Sequence, residues 1–202
     1  IMLNLNIPHF SAYELTVESK TRLQHLIKTK KVVPLKEKNV VAQFNTLVNM
    51  AKKNNFIHYE ISNFSKKRFF SKHNTGYWNN DYYIGIGPSA HSYNGKSRRW
   101  NVSSNKIYVE KIMVNKTCHK EELLSIKEKY NEYIFTSLRT IWGVNIIYLE
   151  KNYGTKIKTR FQKKCEKWIS QKKIITNKYI YLLTDNGKLI ADKISADLFI
   201  VV

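Results

Sequence analysis

Between His9 and Ile61 the spacing of apolar residues changes twice, and this limits the architectures open to the chain. From His9 to Val17 aromatic and β-branched residues alternate with others, the period of a strand. From Lys36 to Asn54 the residues Val40, Val41, Phe44, Leu47, Val48 and Ala51 recur at helical spacing, with Lys, Asn and Gln opposite, which predicts an amphipathic helix with a core-facing stripe. Phe56 to Ile61 returns to strand. Strand, helix and strand in this order predict a βαβ unit with parallel strands and a right-handed crossover. Buried strands need hydrogen-bonded neighbours on both sides, so a unit whose first strand starts near residue 9 is expected to be a fragment of a larger sheet or barrel.

Residues 62 to 80 show no period and mix aromatics with cations and amides, the composition of an ordered functional loop. In the following DYYIGIGPSAHSYNG, Gly85, Gly87, Pro88 and Gly95 punctuate a short apolar strand, where glycine permits positive φ or close approach to the backbone. Beyond Asn105 the pattern is helical, with helices expected at 105 to 113, 119 to 140, 144 to 152 and 155 to 172 and a C-cap at Gly154. The tail then predicts two short strands about an Asn-Lys turn and a helix capped by Thr184. The compositional shift near 104 divides the chain into residues 1 to 104, read as α/β, and 105 to 202, read as a helical, winged-helix-like domain.

The 202 residues are enough for a substantial core, and the balance of 43% hydrophobic to 25% charged residues is that of a folded chain. No apolar run reaches membrane-spanning length and the first residues lack the layout of an export signal, so the cytoplasm is the expected location. Lys and Arg outnumber Asp and Glu by 35 to 15, a formal charge of +20, which favours anionic partners: nucleic acid, a phospholipid surface or a small polycarboxylate. The excess is spread over all segments, as a coding bias would also produce. Cys118 and Cys165 are too far apart for a short-spaced metal motif and read as free buried thiols.

The stretch with most chemical content is His73-Asn74-Thr75-Gly76-Tyr77-Trp78. Imidazole and phenol both ligate heme iron, tryptophan offers a flat apolar contact, and Lys66, Lys67, Arg68 and Lys72 could meet propionates. Composition alone also fits a hydrogen-bonded loop histidine beside aromatics that pin the loop to a core. Glu14, Glu18 and Glu60 lie on the expected strands, facing either a barrel interior or solvent. The chain contains no GxxxxGK[ST], HExxH or Gly-x-Ser-x-Gly, so nucleotide hydrolysis, zinc proteolysis and hydrolase chemistry have no support.

Several blocks resemble one family, in its order. HFSAYELTVE and HYEISNFSK look like two late barrel strands of the coproporphyrinogen III oxidase-like radical SAM family, and YIGIGPSAHS looks like its glycine-rich turn. HNTGYW is similar to the HNxxYW signature of the HemW-type heme-chaperone branch, and EYIFTSLRTIWGVNI and LTDNGKLIADKISADLF are similar to stretches of the family's C-terminal domain. The resemblance implies the C-terminal portion of a (β/α) radical SAM barrel, followed by the family's helical domain. It also implies heme binding and delivery to acceptors such as respiratory enzymes, with His73 near the iron, possible help from Tyr77, and Asn74 and Trp78 in the same site. For S-adenosylmethionine it implies a pocket lined in part by Thr16, Gly85, Gly87 and His91.

One departure limits this carry-over. The family's 4Fe-4S cluster is held by three closely spaced cysteines near its N-terminus, and this sequence has none such. Alone it is expected to be inactive in radical chemistry. A fragment of an oxygen-independent coproporphyrinogen III oxidase is the alternative within the family. A basic winged-helix-like module binding nucleic acid is the alternative of another class, although no helix shows a clear recognition face.

Overall fold

The computed structural model describes residues 5 to 201, which form two compact units, one ending at Ser71 and the other starting at Lys72. The expected boundary near 104 falls inside the second unit, where a β-sheet joins residues on both sides of it.

The first unit contains β1 (His9–Ser11), α1 (Arg22–Lys28), α2 (Glu37–Lys53), β2 (Ile57–Glu60) and β3 (Asn63–Ser65). The expected long helix is α2, with Val48 and Ala51 buried and Phe44 and Leu47 packed on Phe10, Phe56 and Phe64. The strands depart from expectation. β1 and β2 do not pair; β3 lies between them, antiparallel to both, in the order β1-β3-β2. The predicted parallel adjacency is therefore corrected. The start of the expected loop turns back after Glu60 and supplies the middle strand, which Phe64 anchors by stacking on Phe10 (ring centroids 4.9 Å apart) and on His58 (4.3 Å).

The first strand is also shorter than the expected 9 to 17. Its partner runs only from Ser65 to Asn63, and after the Ala12 N–H donates to the Ser62 carbonyl (2.8 Å) the ladder has nothing to continue on. Tyr13, Leu15 and Val17 are exposed beyond it.

The second unit begins with α3 (Lys72–Trp78), so the rest of the expected loop is partly helical. A sheet in the order β4-β5-β6 follows, made of β4 (His91–Tyr93), β5 (Ser97–Asn101) and β6 (His119–Leu123), with α4 (Asn105–Met113) between the last two. The stretch at 82 to 86 contributes a single bridge, Tyr83 to Tyr93, rather than a strand. The helix expected from 119 to 140 is corrected too. Its first residues form β6, where Arg98 faces Glu122 and Arg99 faces Glu121, opposite-charge pairs that favour strand pairing. The helix α5 (Ile126–Leu138) starts only after the capping box of Ser125 and Glu128.

Then come β7 (Val144–Asn145), α6 (Ile146–Tyr153), α7 (Thr155–Ser170), β8 (Ile174–Asn177), β9 (Ile180–Leu183), α8 (Asp185–Lys188) and α9 (Ala191–Leu198). Gly154, at φ 87°, closes α6 and opens α7, and the Thr184 hydroxyl accepts from the Gly187 N–H (3.0 Å). The last sheet has the order β7-β9-β8. Tyr130, Ile134 and Leu138 of α5 are buried, as are Leu149, Phe161, Cys165, Ile194 and Leu198, and the Tyr130 hydroxyl donates to the Leu198 carbonyl (3.1 Å), tying α5 to the end of α9.

Candidate functional site

The HNTGYW stretch is a short helix that local backbone contacts close. Asn80 takes a left-handed φ of 58°, its N–H donates to the Tyr77 carbonyl (3.2 Å), and the Asp81 N–H donates to the Gly76 carbonyl (2.9 Å). That is the stop signal of a helix whose residue after the cap is asparagine. On this helix His73 and Tyr77 are one turn apart, with ring centroids 4.8 Å apart edge to face. His73 is exposed, Tyr77 is 42% exposed, and Asn74 and Trp78 are half-buried.

The aromatic contact continues through residues that sequence reasoning did not single out. Tyr77 meets Tyr83 edge to face at 4.8 Å, Tyr83 lies 6.1 Å from Tyr93, and the Arg98 guanidinium sits 5.6 Å from the Tyr93 ring. Burial raises the phenol pKa of Tyr83 and Tyr93, and the nearby Arg98 charge partly opposes it. Both phenols are therefore neutral donors at ordinary pH. The bridge between Tyr83 and Tyr93 is what brings them together, and the only signal in the sequence was the density of tyrosine around the glycine turn.

The other expected site residues separate. Lys66, Lys67 and Arg68 belong to the first unit, whereas Lys72 opens α3 in the second. Thr16 is exposed in a stretch without regular structure in the first unit; His91 is exposed on β4 in the second, its ring stacked 6.5 Å from Trp100. At Gly85 an added Cβ would come within 2.1 Å of the His91 carbonyl oxygen, so close backbone approach requires glycine there; Gly87 has a positive φ of 101°. Their backbone groups have partners on β4, β5 and α4. The Gly85 N–H donates to Ser92 Oγ (2.9 Å), the Gly87 N–H to the Tyr108 hydroxyl (3.2 Å), and Asn101 Nδ2 donates to both glycine carbonyls.

Glu14 and Glu18 are exposed. Glu60 is buried, its carboxylate accepting from the Ser62 N–H (3.1 Å) and from Asn63 Nδ2 (2.5 Å). Cys118 and Cys165 are both buried free thiols, and burial pushes the Cys165 thiol pKa well up, so it stays protonated and unreactive. Among the described residues no three of His, Cys, Asp and Glu are grouped to hold a metal, and no helix is long and apolar enough to cross a membrane.

The cations of α7 are largely engaged within the unit. Lys158 pairs with Glu150 (2.7 Å), Lys167 with Asp197 (2.8 Å), and Arg160 donates to the Leu198 and Phe199 carbonyls.

The fold is that of a radical SAM protein. The structure matches that of Escherichia coli coproporphyrinogen III oxidase (HemN), a radical SAM enzyme, with a TM-score of 0.72 over 98% of this chain and 49% of that one, at 11% identity. In sequence the chain is a homologue of the HemW heme chaperones. It is 28% identical over 193 residues to that of Bacillus subtilis (95% of this chain, 51% of the relative) and 30% identical over 186 residues to that of Lactococcus lactis (92% and 48%). A mitochondrial radical S-adenosyl methionine domain-containing protein 1 of Danio rerio is 35% identical over 83 residues, 41% of this chain and 19% of the relative. The chain spans about half the length of the curated HemW relatives it matches, consistent with a C-terminal part. No family model matches it.

Proposed function

We propose that the chain binds heme and passes it on, as part of a HemW-type heme chaperone, with the His73 imidazole as iron ligand and Tyr77 beside it. The observation that carries this reading is the exposed His73 one helical turn from Tyr77, on the short helix formed by the HNTGYW stretch. An accessible imidazole can reach an iron that arrives with its cargo porphyrin, and an aromatic face beside it gives the macrocycle apolar contact. Homology to proteins named heme chaperones supports the same assignment. Asn74 and Trp78 on the same helix complete the proposed site. Acceptors such as respiratory enzymes follow from the chaperone reading, and the charge of +20 suits peripheral contact with an anionic membrane.

The architecture supports two further assignments. Strands β1 and β2 flank α2 along the chain in the order of a barrel's strand-helix-strand repeat, although the antiparallel β3 lies between them in the sheet. The order α5, β7, α6, α7, β8, β9, with β9 between β7 and β8, suits a winged-helix-like C-terminal domain.

Gly85, Gly87 and His91 of the second unit would line part of a pocket for S-adenosylmethionine; at the two glycines the fit would be steric, since their backbone groups already have partners. The cysteines do not fit a 4Fe-4S cluster, which takes several closely spaced thiolates, whereas Cys118 and Cys165 are both buried and far apart in sequence. No radical step is assigned to this chain.

Titrating heme into the purified chain should shift the Soret band saturably. His73→Ala should weaken binding by about tenfold or more, since even losing a group behind a metal ligand costs about 10–100-fold. Binding indifferent to His73 would remove the ligand assignment. Turnover of coproporphyrinogen by a chain extended with the cysteine-bearing half would favour the oxidase alternative.

A further inference from the structure

Residues 20 to 38, KTRLQHLIKTKKVVPLKEK, carry seven Lys or Arg and a single acid, Glu37. Within them α1 starts where the Thr21 hydroxyl accepts from the Gln24 N–H (3.2 Å). It stops where Lys30 takes a left-handed φ of 59° and the Lys31 N–H donates to the Leu26 carbonyl (2.9 Å). Leu23, Leu26 and Ile27 fall on one side at the spacing of a helical stripe, yet the helix buries none of its residues. By contrast α2, in the same unit, buries Val48 and Ala51. The turn that follows α1 is more open still: Val33 is 83% and Leu35 62% exposed, set among the exposed Lys30, Lys31 and Lys36.

A lysine-rich composition does not by itself account for this stretch. Several cations of α7 are used internally, by Glu150, by Asp197 and by the carbonyls at the end of α9. None of the seven cations between 20 and 38 has a carboxylate partner among the described residues. Unpaired cations side by side repel one another, and their field is complementary to a surface of negative charge. The apolar residues decide which kind of surface. A nucleic-acid backbone is met by cations and hydrogen-bond donors and gains little from a protruding valine and leucine. A bilayer interface takes both, since aliphatic side chains enter the acyl boundary while lysines keep their ammonium groups at the lipid phosphates.

We propose that α1 and the turn after it form the docking surface for an anionic phospholipid membrane, with Val33 and Leu35 entering the interface and Lys28, Lys30, Lys31 and Lys36 on the headgroups. This rests on the membrane contact in the chaperone reading and gives that contact a place on the molecule; it does not require heme ligation by His73.

Sedimentation of the full chain with vesicles of equal parts phosphatidylglycerol and phosphatidylcholine should show saturable binding that weakens as salt rises from about 0.05 to about 0.5 M. Vesicles of phosphatidylcholine alone should bind it at least about tenfold less tightly. Lys30→Ala with Lys31→Ala should lower the affinity for anionic vesicles at least about tenfold, and so should Val33→Ser with Leu35→Ser. Lys156→Ala with Lys163→Ala removes the same charge from exposed positions of α7 and should change the affinity less than about threefold. All these positions are exposed, so each variant should melt within about 2 °C of the parent. Because Cys118 and Cys165 are buried, Val33→Cys takes an environment-sensitive dye at one position, whose emission should shift to the blue on anionic vesicles. An equal loss in the α7 variant would mean that net charge alone drives binding and overturns the proposal, as does an unshifted dye. Duplex DNA bound through Lys30 and Lys31, with Val33 and Leu35 indifferent, overturns it in favour of nucleic acid. Vesicle binding without a Soret shift on heme titration sinks the heme reading alone, and a normal Soret shift without vesicle binding sinks this surface alone.

Discussion

Four histidines discussed above occupy four environments that their sequence neighbours do not distinguish. His58 is buried, stacked on Phe64, with Nε2 2.9 Å from the Ile61 carbonyl oxygen. His73 and His91 are exposed. His9 shares a hydrogen bond of 2.9 Å with the Tyr59 hydroxyl, and burial lowers its pKa below the ordinary 6.5. The sign of the pH effect follows from that lowering. Above pH 6.5 both folded and unfolded chains hold the imidazole neutral, and His9 costs nothing. As pH falls below 6.5 the unfolded chain takes up the proton first, so stability declines until the lowered folded pKa is also passed. Denaturant midpoints measured from about pH 7.5 down to about pH 5 should therefore fall, and His9→Gln should flatten part of that slope. An unchanged slope in the variant would show that His9 is not buried enough to matter.

Among the elements, α2 was legible because one face carries the whole apolar stripe, and packing then had only to supply a partner for Phe44, Leu47, Val48 and Ala51. The segment after 119 was less legible, because a pattern of charges and leucines fits a helix locally and becomes a strand only when Ser97–Asn101 lies alongside. The signal available was the Ser125-x-x-Glu128 capping box, which marks a helix start seven residues beyond the expected one. The Ser125 hydroxyl accepts from the Glu128 N–H (3.2 Å) and the Glu128 carboxylate accepts from the Ser125 N–H (2.7 Å), contacts that lower the Glu128 pKa. Ser125→Ala should cost about 1 kcal/mol, visible as a lower denaturation midpoint at unchanged slope. Parent-like stability would mean that the helix start is held by packing alone.

Across the whole molecule, charge and exposed apolar surface act together. Ile84 and Ile86 are 85% and 87% exposed on the segment that resembles the family's glycine-rich turn, where a short apolar strand was expected. No second strand covers them among the described residues, so the alternation has nothing to bury against. A net charge of +20 on 202 residues repels itself in the folded state, and salt screens that repulsion over a Debye length of ~10 Å at 0.1 M. Raising sodium chloride from about 0.05 to about 0.5 M should raise the melting midpoint, by about 2–4 °C for each ~1 kcal/mol of repulsion removed. A midpoint that falls instead would show that attractive ion pairs such as Arg98 with Glu132 outweigh the net repulsion.

Periodicity and cap chemistry are properties of neighbours along the chain, so the sequence alone determined α2, α4, the Gly154 break between α6 and α7, the terminal hairpin and the Thr184 cap. Family blocks in the right order likewise pointed to the HemW relatives. Tertiary structure alone decided which strands pair, since a hydrogen-bond ladder depends on what lies alongside: β3 parts β1 from β2, and β6 replaces the first turns of an expected helix. It also decided that Trp78, read from sequence as a flat heme contact, lines a cavity whose other rings come from residues 133 to 148. Such a wall joins residues more than fifty positions apart, and no local pattern encodes it.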